Sequence, residues 1–151
     1  MNNHITEQES PTNAQFELKM CANPEYLPVV RMVVRGMAQV VGLENKDDQI
    51  TLAVEEAVTN VIRHGYGGAC TKPIILKLNK IHRDDDKKTG VEIVIRDFGK
   101  QVDPESIRGR DLDKLRPGGL GVHIIYSAMD EVEFRPVGDC GMQLRMVKYI
   151  A

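Results

Sequence analysis

Residues 47–65, which read DDQITLAVEEAVTNVIRHG, are the stretch that decides the fold. Apolar residues recur in it every three or four positions, as they do along one face of an α-helix. Asp47 or Asp48 can cap such a helix at its start, and Gly65 can end it. We therefore predict an amphipathic helix over 47–65, with an apolar stripe made of Ile50, Ala53, Val54, Ala57, Val58, Val61 and Ile62.

The opposite face of this helix carries polar side chains at a spacing that brings them together. Glu56 and Asn60 lie four residues apart, and Arg63 or His64 follows three or four residues later. A carboxylate in this place can act as a general base, an amide oxygen can bind Mg²⁺, and a cation can contact phosphate. A solvated polar face is the alternative interpretation, because amphipathic helices ordinarily expose charged residues.

The rest of the chain divides into five predicted strands and two further helices. Phe16, Leu18 and Met20 alternate with charged residues, which is the period of a half-buried strand, whereas the apolar residues of 25–41 have helical spacing. The predicted elements are strands at 16–20, 73–81, 91–96, 131–136 and 143–150, and helices at 25–41, at 47–65 and from Gly119 or Leu120 onward. Residues 82–90 are charged and would form the solvated tip of a hairpin. This order predicts an α+β two-layer sandwich with a mixed, mostly antiparallel sheet.

Length and composition limit the class of protein. A chain of 151 residues with 42% hydrophobic content can bury one core, so we predict a single domain over 14–151 after a disordered or frayed N-terminus over 1–13. A formal charge of -2 provides no positive field that would attract nucleic acid or an anionic membrane.

Targeting signals and cysteine spacing indicate the cellular compartment. We find no apolar run long enough to span a bilayer and no signal peptide at the N-terminus. The three cysteines are far apart and form no C-x-x-C pair, which argues against a disulfide framework or a zinc site. We therefore expect a cytoplasmic protein.

Asp97, Phe98 and Gly99 follow directly on the predicted strand 91–96. A carboxylate at a strand end can accept a hydrogen bond from the exocyclic amine of a purine, and the glycine lets the backbone approach a flat base. An ordinary Asp-x-Gly turn is the alternative. The eukaryotic protein-kinase D-F-G motif is rejected, because no H-R-D loop, V-A-I-K strand or glycine-rich loop of that fold accompanies it.

Residues 117–125, PGGLGVHII, place a glycine cluster at the start of a predicted helix. The free amides and the positive dipole end of such a helix suit an anion. No Lys-Ser or Lys-Thr follows, so the cluster is not a Walker loop, and it does not fit the dinucleotide fingerprint either. A flexible glycine hinge is the alternative.

Taken in order, these three motifs resemble the nucleotide-binding boxes of the gyrase, heat-shock chaperone, histidine kinase and MutL ATPase superfamily. The residues concerned are Glu56 with Asn60, Asp97 with Gly99, and Gly119 with Gly121. More narrowly, LAVEEAVTN at 52–60, HGY at 64–66 and residues 116–125 resemble the anti-sigma-factor serine kinases. The resemblance implies a histidine-kinase-like ATPase (Bergerat) fold that holds ATP or ADP with Mg²⁺ beneath a lid over 101–117.

The resemblance also implies a role for each matching residue. Glu56 would be the catalytic base, Asn60 would coordinate Mg²⁺, and Asp97 would bind the adenine amine above Gly99. The nucleotide-binding set would be Asn60, Arg63, His64, Asp97, Gly99, Gly118, Gly119, Leu120, Gly121 and Val122, with the amides of 118–122 at the phosphates.

The function that the resemblance implies is an ATP-dependent serine protein kinase and anti-sigma regulatory factor. It would phosphorylate a serine of an anti-sigma-factor antagonist, sequester a sigma factor and form a homodimer. A nucleotide-gated binding module without kinase activity is the alternative, and a plain interaction domain is a third. Glu56 favours the enzyme, because a binder needs no base. Gln101 in place of a second glycine, and Met142 in place of a threonine that commonly helps to bind adenine, depart from the family pattern.

Overall fold

The computed structural model describes residues 14–108 and 120–151. The strands are β1 (Phe16–Cys21), β2 (Pro73–Arg83), β3 (Lys88–Arg96), β4 (Glu131–Pro136) and β5 (Met142–Tyr149). The helices are α1 (Leu27–Val41), α2 (Asp47–Asn60), α3 (Pro104–Arg108) and α4 (Leu120–Ala128). The frayed segment predicted over 1–13, most of the predicted lid, and the roles predicted for Gly118 and Gly119 fall outside the described residues.

The five strands form one sheet in the order β1-β2-β3-β5-β4. Every neighbouring pair is antiparallel, whereas the sequence predicts a mixed, mostly antiparallel sheet. The helices pack against this sheet, so the predicted α+β two-layer sandwich is confirmed. Short turns join β2 to β3 and β4 to β5, which accounts for two of these pairs, since only antiparallel strands can be joined by a tight turn. Within the described residues, no helix has the length and apolar composition needed to cross a membrane.

The core lies between the sheet and helices α1 and α2. Val91, Ile93 and Ile95 on β3 are buried, and their neighbours along the strand point to the other face because side chains alternate. Helix α2 supplies the opposite layer. The predicted apolar stripe is confirmed, since Ile50, Ala53, Val54, Ala57, Val58 and Ile62 are all buried in this core and Val61 packs against it.

Two boundaries and one helix cap differ from the predictions for local physical reasons. The hairpin tip is shorter than 82–90, because β2 and β3 continue their pairing to Arg83 opposite Lys88 and Asp86 accepts hydrogen bonds from Arg83. Helix α2 begins at Asp47, but neither Asp47 nor Asp48 caps it; both lie in the first turn, where they complement the helix dipole.

The third difference matters for the site, because the last turn of the predicted helix 47–65 is a π-turn over Val61–Gly65. The amide of Tyr66 donates to the carbonyl of Val61, 2.9 Å away, which is the longer span of this turn. In this wider turn, residues three or four positions apart no longer lie on one face as they do in an α-helix. Because of this turn, α-helical spacing does not predict whether Arg63 and His64 lie on the same face as Asn60.

Candidate functional site

A cavity of about 120 Å³ lies where the π-turn, the end of β3 and the start of β5 meet. Its polar lining comes from Asn60, His64, Asp97 and Lys100. Its other walls are mainly apolar, formed by Ala57, Val61, Ile95, Val102, Ile107, Val122, Phe134, Met142 and Leu144 together with Gly65. An apolar slot with a few convergent polar groups is the usual form of a site for a small organic ligand. Its apolar walls and the single buried carboxylate among its described lining residues suit an apolar ring that carries an amino group.

Asp97 is the buried acid of this cavity, with 4% of its surface exposed. Its Oδ1 accepts hydrogen bonds from the amides of Gly99 at 2.9 Å and Met142 at 3.3 Å. Both hydrogen bonds that Asp97 accepts from described residues use Oδ1, so Oδ2 remains as an acceptor for a ligand. Burial raises the pKa of Asp97, while the two amides and the nearby charge of Arg96 act in the opposite direction.

Two glycines allow the backbone around Asp97 to close up. Gly99 packs against the carbonyl group of Gly65, and Gly141 packs against the carbonyl group of Asp97. A Cβ at either position would overlap with backbone atoms. Gly141 also has a φ of 85°, which residues with side chains rarely adopt. The start of β5 can therefore reach Asp97 only because residue 141 is glycine.

We expect Gly141→Ala to destabilise the fold by at least about 2 kcal/mol, because overlap with rigid backbone adds to the strain of a positive φ. Urea unfolding would measure this change. Gly36→Ala is the matched control: Gly36 lies on an exposed part of α1, and a Cβ at this position would have no other atom within 4 Å. The same substitution there should stabilise by about 0.5–1 kcal/mol, because alanine favours helix. Equal stability of the two variants would contradict the close packing at Gly141.

Glu56 and Asn60 face the first turn of α4. A Cβ on Gly121 would lie 2.6 Å from Glu56 Oε2 and 3.6 Å from Asn60 Nδ2, so a side chain at position 121 would displace the Glu56 carboxylate. The structure thus brings together residues from two of the three sequence motifs. Within the described residues Glu56 has no hydrogen-bond or ion-pair partner, and its carboxylate is free to act on a ligand.

The neighbouring Glu55 has a different environment. Its Oε1 accepts a hydrogen bond from Nε of Arg31 on α1, and the two side chains form an ion pair. The ion pair holds the Glu55 carboxylate against α1, so this carboxylate is occupied by Arg31. The structure therefore separates two adjacent glutamates that the sequence alone does not distinguish by environment.

The remaining predicted site residues are only partly brought together. The cavity is lined by His64, Asp97 and Val122 together with Asn60. Gly99 packs against the carbonyl group of Gly65. Arg63 is exposed and is not among the residues that line the cavity. Leu120 begins α4, next to the Gly121 contact with Glu56.

Tyr66 is a site residue that sequence reasoning missed. Its hydroxyl donates to the carbonyl of Pro73 at 2.6 Å and accepts from the amide of Phe98 at 2.9 Å, so it holds the turn after Asp97. Burial is the main cause that raises the pKa of the Tyr66 hydroxyl, so it stays protonated as the first hydrogen bond requires. The string His-Gly-Tyr was visible in the sequence, but nothing in it indicated a contact with residue 98.

The two departures from the family pattern also make contacts at this site. Nε2 of Gln101 donates to the carbonyls of Val137 at 3.3 Å and Gly138 at 3.1 Å. Sδ of Met142 accepts from the amide of Val102 at 3.4 Å, and the Met142 side chain lines the cavity. Gln101 and Met142 therefore tie the segment after Gly99 to the β4–β5 turn.

The donor set around Asn60 fits a magnesium ion that arrives with phosphate. No cluster of three or more His, Cys, Asp or Glu side chains capable of holding a metal occurs among residues 14–108 and 120–151. Mg²⁺ is commonly bound by one or two protein oxygens together with substrate phosphates and water, rather than by a full protein cage. The side-chain amide oxygen of Asn60 is a ligand of this kind.

Comparison with known proteins identifies the family of this domain. The family model described as the histidine kinase-like ATPase domain matches residues 20–148. The fold and the site thus define a histidine kinase-like ATPase domain. A solved histidine kinase domain from a blue-light-activated kinase of Erythrobacter litoralis is similar at a TM-score of 0.47 and 14% identity over 85% of this chain, which covers 61% of that chain.

Three relatives narrow the class. "Serine-protein kinase RsbW" of Oceanobacillus iheyensis is 32% identical over 145 residues, which is 90% of this chain and 87% of the relative. The RsbW proteins of Halalkalibacterium halodurans and Staphylococcus aureus are also 32% identical, over 89% of this chain and 83% and 86% of their own lengths. The chain belongs to the RsbW family of anti-sigma-factor serine kinases.

Proposed function

We propose that this protein is an ATP-dependent serine protein kinase and anti-sigma regulatory factor. It transfers the γ-phosphoryl group of ATP to a serine of an anti-sigma-factor antagonist, and it sequesters a sigma factor when that antagonist is absent. The observation that carries the proposal is the Glu56 carboxylate, which has no partner among residues 14–108 and 120–151 and lies beside Asn60 and the first turn of α4. Asn60 lines the cavity whose only buried acid among the described lining residues is Asp97.

The nucleotide end of the site has two parts. Asp97 Oδ2 accepts from the exocyclic amine of adenine, and Gly99 leaves room for the base. The amides at the start of α4, at Gly121 and Val122, with those proposed for Gly118 to Leu120, meet the phosphates. His64, which lines the cavity, would contact the phosphates as a hydrogen-bond donor, and the guanidinium group of Arg63 beside it would supply positive charge.

Asn60 would hold Mg²⁺, which neutralises charge on the phosphates when it is bound with the nucleotide. Glu56 takes the proton of the acceptor serine hydroxyl as the new bond forms between the serine oxygen and the γ-phosphorus. The bond from that phosphorus to the ADP oxygen breaks, and ADP leaves with the electron pair. General-base assistance of this kind contributes about 10²- to 10⁴-fold to a rate.

Family membership supports the remaining parts of the proposal. The partners are an antagonist protein that accepts the phosphoryl group and a sigma factor, and the protein acts in the cytoplasm as a homodimer. A nucleotide-gated binding module is the second candidate. The contacts of Gln101 and Met142 favour it, because they hold in place a segment that has a second glycine in the family pattern.

Incubation with Mg-ATP and a candidate antagonist, followed by intact-mass analysis, tests the proposal. We expect one phosphoryl group per antagonist chain, lost when the acceptor serine is replaced by alanine. Calorimetric titration with ADP and ATP, with and without Mg²⁺, is run on the same preparation. A stable complex with an unmodified antagonist would contradict the kinase and support the nucleotide-gated binding module. A folded protein that binds no nucleotide would contradict both candidate functions.

A further inference from the structure

Arg96 is the last residue of β3 and precedes Asp97, yet no motif in the sequence points to it. Its guanidinium group donates to the carbonyl of Asp97, to that of Val137 at 3.3 Å and to that of Cys140 at 3.1 Å. It also lies 4.4 Å from the centre of the Phe98 ring. All three acceptors are backbone groups. One side chain therefore joins the strand end that carries Asp97 to the turn between β4 and β5.

That turn determines where the Asp97 carboxylate is held. The amide of Asp97 donates to the carbonyl of Met142 at 3.0 Å, and the amide of Met142 donates back to Asp97 Oδ1 at 3.3 Å. Both bonds need residues 137–142 to stay against the end of β3. Gly141 provides the close approach, but a glycine supplies no attraction of its own. The guanidinium group of Arg96 supplies hydrogen bonds that hold the turn there, in addition to those from Gln101.

We propose that Arg96 is a positioning residue of the base-binding cavity: by holding the β4–β5 turn on the end of β3, it keeps the Asp97 carboxylate oriented as an acceptor for an amino-substituted purine. The inference rests on the proposed nucleotide function and adds to it a determinant of base recognition. Arg96 itself does not line the cavity, so it acts through Asp97.

The charge of Arg96 supports the same role. Burial raises the pKa of Asp97, and a protonated carboxyl would offer a donor where adenine needs an acceptor. The amides of Gly99 and Met142 and the charge of Arg96 lower that pKa. Three other titratable groups lie near Asp97. Tyr66 accepts a hydrogen bond from the Phe98 amide, and His64 and Lys100 line the cavity. Arg96 thus preserves the ionised form by a fixed charge and by keeping the Met142 amide in place.

Arg96→Gln and Arg96→Lys test this inference, with Arg135→Gln as the control, since Arg135 is exposed on the nearby strand β4. Calorimetry measures the Kd for ADP over the acid to neutral pH range. Hydrogen exchange measures protection of the Met142 amide without ligand. Arg96→Gln should weaken ADP binding roughly 10- to 100-fold and speed exchange at Met142 about tenfold or more. Arg135→Gln should match the wild type in both.

The pH profile separates positioning from a merely structural role. Wild-type binding should weaken as the pH falls through the Asp97 pKa, because the acceptor becomes protonated. In Arg96→Gln the loss should begin at a higher pH, whereas Arg96→Lys keeps the charge and should keep the wild-type midpoint while losing part of the affinity. A structural role alone would lower the melting temperature and leave the midpoint unchanged.

Three outcomes would overturn the inference, and each is distinguishable from the others. A folded Arg96→Gln with wild-type ADP affinity, pH midpoint and Met142 protection overturns it and leaves the nucleotide site intact. A wild-type protein that binds no ADP overturns the nucleotide site and this inference together. Faster exchange at Met142 with unchanged ADP affinity shows that Arg96 holds the turn but does not position the base, which also overturns the inference.

Discussion

Glu56→Gln is expected to slow phosphoryl transfer to the antagonist about 10²- to 10⁴-fold and to leave ADP binding nearly unchanged. Glutamine has almost the same shape and can still pack against Gly121, but its amide cannot accept the serine proton. The Asn60 and Asp97 contacts are untouched by the change. Single-turnover transfer, measured with saturating Mg-ATP and followed by intact mass, gives the rate of the chemical step apart from binding.

The adjacent residue provides a stringent control for this prediction. Glu55→Gln makes the same chemical change one position away, but Glu55 is paired with Arg31 on the α1 side of the helix. We expect its transfer rate to stay close to that of the wild type. Equal losses in both variants would show a general effect on α2 rather than loss of a base. Loss of ADP binding in Glu56→Gln would instead assign Glu56 to the nucleotide or its metal.

Asp97→Asn is expected to weaken ADP binding about 10²-fold without lowering stability. The Oδ1 atom of asparagine can still accept from Gly99 and Met142, which turns the amide nitrogen toward the position of Oδ2. A donor would then face the donor amine of adenine, and that buried clash is the reason for the loss.

Asp97→Asn should not lower the stability of the protein, although it lowers the affinity for ADP. Because burial raises the pKa of Asp97 in the folded protein, its ionised form is disfavoured there, and that cost is present above the folded pKa and relieved as the pH falls through it. A neutral asparagine removes the cost, so the melting temperature at neutral pH should be equal or higher. Asp139→Asn, on an exposed residue of the β4–β5 turn, is the control for both readouts. An Asp97→Asn protein that binds ADP like the wild type would disprove the adenine contact.

Much of the fold could be predicted because its signals are local. The period of three and four in 47–65 predicted helix α2 and its buried stripe, and alternation predicted strands such as β3. Each of these patterns depends on residues a few positions apart, which is the range over which backbone geometry repeats. The pairing of β3 with β5 has no such signal, because register between distant strands depends on how whole faces pack.

The candidate site, too, was predicted only where its residues are close in sequence. Spacing on one helix predicted that Glu56 and Asn60 share a face, but the π-turn over Val61–Gly65 shifted the residues after Asn60, since a change of hydrogen-bond span leaves no clear trace in composition. The packing of Gly121 against Glu56 joins segments that only the folded chain brings together.

The sequence by itself determined the class of elements, the core residues and the order of the three motifs, because periodicity and residue chemistry act over a few neighbouring positions. Only the tertiary structure decided which glutamate is free, how Asp97 is held and that Arg96 takes part. The hydrogen bonds responsible join Arg96 to Cys140 and Asp97 to Met142, over separations of 44 and 45 residues. Contacts of that range form when the β4–β5 turn closes on the end of β3, and no local spacing encodes them.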